Sequence, residues 1–416
     1  MIDSRSSRVP WAVVALLVVS VAINYIDRGN LSIAAPILKD ELGLSAAQLG
    51  FLLSAFFWTY ALCQLLSGWL VDRFNANILL AAGYLLWSLA TAATGLVHGF
   101  AALVVLRLIL GAGESVAYPC YSKILASHVA EHQRGLPNAL IDAGTKFGPA
   151  LGTLVGGVLM ARYGWRPFFI VLGLASLIWL PFWNKWMPAG MAASADAALV
   201  PTTREIISQR AAWASFTGHF CGNYFWYFLL TWLPFYLVRE RHFTLPQMAS
   251  VGSLAYIVTA AASVVAGWLS DRAITRGATQ TRVRKMCTGG GLAGATVVVA
   301  VVMIPDRTTS MVLLMLACVS YGTFASSHWA ITQTLAGPLA AGKWSGVQNF
   351  VANLSGVVAP ALTGIVVDRT GQFFWAFAVS AAVVLVGAAA YVFGLSKVEP
   401  VDWTARPARA AGGIDE

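Results

Sequence analysis

Apolar stretches of roughly 20 residues or more recur about twelve times along this chain, each long enough to cross the hydrocarbon core of a bilayer. Their approximate bounds are 11–36, 46–71, 77–97, 100–126, 136–161, 166–187, 211–238, 247–270, 284–304, 310–338, 344–367 and 372–395. No water is available in lipid to satisfy backbone N–H and C=O groups, so such segments are expected to be helices that bond internally. Composition agrees: 58 % of the 416 residues are hydrophobic and 11 % are charged, against about 25 % charged in soluble domains. The first run contains Asp27 and Arg28 and lacks a small-residue cleavage pattern, so it reads as a retained helix rather than a signal peptide.

The net charge of +9 could suggest nucleic acid, but its distribution describes topology instead. With the N-terminus inside, Arg5, Arg8, Arg73, Arg134, Arg204, Arg272, Arg276, Arg282, Arg284 and Lys285 all fall on one side of the membrane. That asymmetry places both termini in the cytoplasm. The five cysteines lie within the apolar spans without metal spacing and read as small apolar fillers.

Two hexapeptides, Gly68-Trp-Leu-Val-Asp72-Arg73 and Gly267-Trp-Leu-Ser-Asp271-Arg272, stand 199 residues apart, each ending an apolar run. A second register supports the repeat. At an offset of 211, Gly135 matches Gly346, Asn138 matches Asn349, Asp142 falls on Asn353 and Pro149 matches Pro360. Helices 1–6 therefore repeat as 7–12. The longest polar break separates the halves. The expected division is an N-terminal six-helix bundle over 1–187, a cytoplasmic linker over 188–210, a C-terminal bundle over 211–397 and a cytoplasmic tail over 398–416.

A twelve-helix chain with Gly-x-x-x-Asp-Arg after helices 2 and 8 resembles the major facilitator superfamily. Asn24-Tyr25-Ile-Asp27-Arg28, Tyr60, Arg107 with Glu114 seven residues on, Tyr118-Pro119 and Trp232-Leu-Pro234-Phe-Tyr236 resemble its anion:cation symporter branch. That branch includes carriers for galactonate, glucarate, hexuronates and phthalate, and the animal sialin and vesicular glutamate carriers. The resemblance implies an all-α polytopic membrane protein with the major facilitator fold: two pseudo-symmetric six-helix bundles that rock around a central cavity. It also implies that the Asp-Arg loops govern opening. Phe74-Asn75-Ala76-Asn77 stands where the family's loop motif has a basic tail, which leaves gating to Asp72, Arg73, Glu131, Arg134, Asp271 and Arg272, with plain helix capping as the simpler reading of Asp72 and Asp271.

A charge at mid-bilayer costs about 3 kcal/mol on insertion scales, so each one should face a cavity or a partner. The candidates are Asp27, Arg28, Arg107, Glu114, Asp142 and Lys146, with Lys123 nearer the helix end. Asp27 and Arg28 are adjacent and point about 100° apart, so they do not neutralise each other side by side. Burial disfavours the carboxylate and a nearby cation favours it, a balance that lets a proton come and go. Arg28 keeps its charge and its fork fits a carboxylate. Arg107 and Glu114 share one face about 10 Å apart along the axis, which suits either a proton site tuned by Arg107 or a structural salt bridge. Asp142 and Lys146 are i,i+4 neighbours. Lys146 could serve a dianionic substrate; alternatively the two pair within the helix, or Asp142 pairs with Lys123.

The resemblance assigns Asp27 and Arg28 to coupling and substrate binding, Glu114 to protonation, and Tyr25, Tyr60, Ser326, Trp329 and Asn353 to the substrate site. Asn223 and Tyr227 at i,i+4, and Asn349 beside Asn353, complete the polar set. His219 and His328 could titrate or could be core histidines. The expected function is proton-coupled import of an organic anion, most simply a sugar acid, by a monomer in the lipid of a bacterial inner membrane. No cofactor is expected beyond protons as coupling ion, and no nucleic-acid partner. Proton-driven export and a nutrient sensor without flux are the alternatives; Gly144-x-x-x-Gly148-Pro149 partly matches a drug-antiporter motif, with Lys146 set against a cationic drug. No metal spacing, phosphate loop or Gly-x-Ser-x-Gly supports an enzyme.

Overall fold

Residues 10–128, 135–187 and 201–403 are described by the computed structural model. They form helices α1 (Trp11–Glu41), α2 (Ala46–Arg73) and α3 (Ala76–Thr94). Then come α4 (Phe100–Glu114, continued as Ala117–His128), α5 (Gly135–Tyr163) and α6 (Trp165–Trp186). The second half holds α7 (Arg210–Arg239), α8 (Leu245–Thr275), α9 (Gln280–Met303), α10 (Arg307–Gly337), α11 (Lys343–Thr370) and α12 (Phe373–Gly394). Ten of these are long and apolar enough to cross a membrane. The other two, α5 and α7, have the length, at 29 and 30 residues. Glycines, Asp142 and Lys146 dilute the apolarity of α5, and Tyr, Trp, His219 and Asn223 that of α7. Helix is continuous from His328 to Thr370 except at Gly337, whose φ of 61° and ψ of 177° turn the chain between α10 and α11. That left-handed φ is open to glycine without a Cβ penalty.

Local chemistry starts the helices where the sequence repeats. The Ser45 side chain accepts from the Gln48 N–H, while the Gln48 side chain accepts from the Ser45 N–H, closing a capping box before α2. Thr244 and Gln247 build the same box before α8. Asn75 caps α3 and Asp306 caps α10. In α4 the chain turns between Glu114 and Ala117. Pro119 has no N–H for the Ser115 carbonyl one turn back, so the helix breaks there, and Glu114 sits at the break.

The end where the chain enters α1 and leaves α12 is called inner here. The bundles meet through α2 against α11, α5 against α8 and α1 against α7. Among the described residues, the bonds that join them lie from the middle outward. Ser32 donates to the Leu230 carbonyl at 2.8 Å, the Ala46 N–H donates to Asp368 at 3.2 Å, and Arg239 pairs with Asp40. At Gly50 and Gly364 the backbones of α2 and α11 approach so closely that a Cβ on either would strike the other chain. Farther in, Asp142 keeps 65 % of its side chain exposed. Beyond α12, Val398, Val401 and Trp403 hydrogen-bond to Thr281, Leu335 and Ala336 and lie across the inner ends of α9 and α10.

Candidate functional site

Arg28 lies near the middle of α1 and is only 3 % exposed. Its Nε donates to Glu114 Oε2 at 2.9 Å, across from α1 to the break in α4. The guanidinium carbon sits 4.3 Å from the Tyr60 ring centroid and 4.5 Å from that of Tyr25, with Phe56 at 5.2 Å. These rings offer their negative faces to the cation and exclude water from it. Arg28 Nη2 and Glu114 Oε1 have no hydrogen-bond partner among the described residues. One arm of the fork and one carboxylate oxygen are therefore uncommitted.

The direct ionic partner of Glu114 is thus Arg28, not Arg107. The seven-residue spacing puts Arg107 and Glu114 on one face, but α1 packs against that face and brings Arg28 closer. Arg107 instead donates through Nη1 to the Asp27 carbonyl at 3.2 Å, while still acting electrostatically on Glu114. Asp27 is fully buried and faces the interior of the first bundle, where its Oδ1 accepts from Asn30 at 3.2 Å and Thr91 of α3 lies beside it. Its Oδ2 is unpaired among the described residues. Adjacent positions on one helix thus send Arg28 toward the second bundle and Asp27 away from it.

The second bundle faces Arg28 with Tyr227, whose ring packs 4.4 Å from that of Phe57 on α2. The Tyr227 hydroxyl donates to Asn353 Oδ1 at 2.6 Å, and Asn353 Nδ2 donates to the Asn349 carbonyl at 2.8 Å. Asn223 and Asn349 are half-buried. Ser326 donates to the Thr323 carbonyl at 2.7 Å. The Trp329 ring lies 5.0 Å from that of His219 and 5.2 Å from that of His328. A fixed cation on one bundle therefore faces amides, hydroxyls and a tryptophan on the other. That combination can hold an anion carrying polar groups.

The model of the Major Facilitator Superfamily matches residues 17–360. The chain belongs to this superfamily. It is a membrane transporter and not an enzyme. It is 32 % identical over 413 residues to a probable sulfoacetate transporter of Cupriavidus necator, covering 94 % of each chain. It is 29 % identical to the hexuronate transporter of Bacillus subtilis, covering 88 % of this chain and 90 % of the relative. A probable L-galactonate transporter of Escherichia coli is 28 % identical, over 94 % of this chain and 90 % of its own. Among solved structures, an inward-facing bacterial homologue of the human lysosomal transporter Spinster superposes with a TM-score of 0.79 at 17 % identity, covering 92 % of this chain and 96 % of that one.

As a superfamily member the chain has its loop motifs in view only in part. Asp271 pairs with Arg284 of α9 at 2.8 Å, and Arg272 lies 5.1 Å from the Trp268 ring centroid. Asp271 is therefore an ion-pair partner and not a cap. The side chains of Asp72 and Arg73 lie outside the described residues, as do Glu131 and Arg134. Lys146 bonds both Asp142 oxygens, at 2.8 and 2.9 Å, so this pair closes within α5. Lys123 donates to the Val71 carbonyl of α2. Sequence reading overlooked Thr91, Phe56, Thr332, Trp344 and Gln348. Only Gln348 left a trace, as an amide beside Asn349 and five positions before Asn353.

Proposed function

We propose that this transporter imports an organic anion, a sugar acid, together with protons by alternating access. The observation that carries the reading is Arg28: a buried guanidinium, one arm on Glu114 and one arm uncommitted, facing the amides and hydroxyls of the second bundle. The hexuronate, probable L-galactonate and probable sulfoacetate transporters that this chain resembles take organic acids, the chemistry that this site suits.

A substrate carboxylate competes with Glu114 for Arg28. Protonation of Glu114 weakens its hold, since the ion pair with Arg28 becomes a bond to a neutral acid. Arg28 can then take the substrate bidentately. Asp27 holds a second proton on the far side of α1, with Arg107 tying the intervening carbonyl. With both acids protonated, the substrate carboxylate offsets Arg28 and the buried charge of Arg107 remains; loss of the protons returns Glu114 to Arg28 and expels the anion. The chain works as a monomer in a bacterial inner membrane with both termini cytoplasmic, so the inner end is the cytoplasmic one.

The test is uptake into proteoliposomes under an inward proton gradient, with hexonates, hexarates, hexuronates and sulfoacetate offered in turn. The expected result is accumulation of one acid by the wild type. Glu114→Gln should exchange that acid across the membrane without concentrating it. Full gradient-driven accumulation by Glu114→Gln overturns the coupling role, and absence of flux for every acid overturns the import reading.

A further inference from the structure

The second bundle contains a hydrogen-bond chain whose direction is fixed from one end. The Trp344 indole N–H can only donate, and it gives to Gln348 Oε1 at 3.2 Å. Thr332 Oγ1 lies 2.9 Å from the same oxygen. The amide is thereby oriented, and its nitrogen faces His219 Nδ1 at 3.2 Å. An amide nitrogen donates, so His219 Nδ1 accepts and the ring carries its proton on Nε2. The neighbouring His328 is set the other way. Its Nδ1 lies 3.0 Å from the Ala325 carbonyl, which only accepts, so Nδ1 holds the proton and neutral His328 presents Nε2 as a lone pair.

The two rings lie 4.6 Å apart at 48°. One offers an N–H and the other a lone pair, and neither Nε2 is bonded among the described residues. A hydroxyl group both accepts and donates, so it satisfies the pair at once. A carboxylate does not, because it meets the His328 lone pair with lone pairs of its own. The pair lies in the second bundle beside Trp329, which packs against both rings. His219 precedes Tyr227 by eight positions on α7, which puts it about 12 Å farther in along the axis. An extended six-carbon acid with a hydrogen bond at each end spans about that distance.

We propose that His219 and His328 read the terminal hydroxyl of the substrate whose carboxylate engages Arg28, which selects a polyhydroxy monocarboxylate over a dianion. This rests on the import reading above. Gln348 is a positioning residue that sets the His219 tautomer.

The experiment is calorimetric titration of purified full-length protein with D-gluconate, 6-deoxy-D-gluconate and D-glucarate, whose tails end in hydroxyl, methyl and carboxylate. Wild type should bind gluconate about tenfold or more tightly than either of the others, the worth of one lost or mismatched hydrogen bond. His219→Phe and His328→Phe should each remove the preference for gluconate over its deoxy analogue, while His328→Gln, which keeps a polar group near the Nε2 position, should retain it. The wild-type comparison stands even where a Phe variant does not fold. Equal binding of the three acids, or tighter glucarate, overturns the inference. If none of the three binds while the uptake panel finds another anion, this inference falls alone; if that panel finds no anion, the import reading falls with it.

Discussion

At the scale of single residues, the site is a problem of keeping charge in a dry place. Removing one member of a buried ion pair leaves an uncompensated charge and is strongly unfavourable. Arg28 and Glu114 avoid that by a 2.9 Å contact backed by three aromatic rings. The partner across the cavity is neutral: Asn353 accepts from Tyr227 at 2.6 Å and donates to the Asn349 carbonyl at 2.8 Å. Tyr227→Phe should weaken binding of the transported acid severalfold by leaving the Asn353 oxygen without its donor, and lower stability by about 0.6–2 kcal/mol, the range for interhelical bonds in membranes. Thermal melting and equilibrium binding read the two effects; unchanged melting would mean that the bond is not part of the resting structure. The sequence made the charged members conspicuous, because Asp27, Arg28, Arg107 and Glu114 are expensive in apolar helices. Which of them pair was not legible. Arg28 and Glu114 are 86 residues apart, and the contact depends on how α1 packs on α4. Gln348 and Thr332 were quieter still, since they carry no charge and the bonds that satisfy them depend on tertiary packing.

Among elements, the repeat is the legible part and the close packing is not. The capping boxes of α2 and α8 begin at Ser45 and Thr244, the same 199-residue offset that relates the two hexapeptides. Each is visible as Ser/Thr-x-x-Gln before an apolar run, a stronger start signal than apolarity alone. The break of α4 falls inside what reads as one span over 100–126, although Pro119 marks it, and the length of α7 was readable despite its polar aromatics. The crossing of α2 and α11 was not, because glycine in a membrane helix has many uses. Here Gly50 and Gly364 face one another, and a Cβ on Gly364 would meet the Ala46 carbonyl and come within 3.0 Å of Gly50 Cα. Both obstacles are backbone, so relief requires the helices to part. Gly364→Ala should loosen the outer closure and speed amide hydrogen exchange at the outer ends of α2 and α11 by about tenfold or more, a shift of about 1.4 kcal/mol. Unaltered exchange there would show that the two helices already have room.

For the whole molecule, the question is what holds the outer ends of the two bundles together. Two kinds of contact cross between the bundles there. One is backbone packing at Gly50 and Gly364, where nothing but the helices themselves can yield. The other is polar: Arg239 bonds the Pro36 carbonyl at 2.9 Å and pairs with Asp40, and Asp368 accepts the Ala46 N–H at the start of α2. The Asp40 side chain is 65 % exposed, and an ion pair so open to water is worth about 0–1 kcal/mol. The packing should therefore set the closed state and the polar clasp should trim it. Arg239→Ala is expected to raise the outward-open population by no more than about fivefold, the ratio that 1 kcal/mol allows, and to do so less at high salt, where the pair is already screened. Hydrogen exchange at the outer ends of α1 and α7, measured at low and high salt beside Gly364→Ala, checks the ranking. A larger effect from Arg239→Ala than from Gly364→Ala would reverse it and make the salt bridge, rather than the glycine crossing, the bolt of the outer gate.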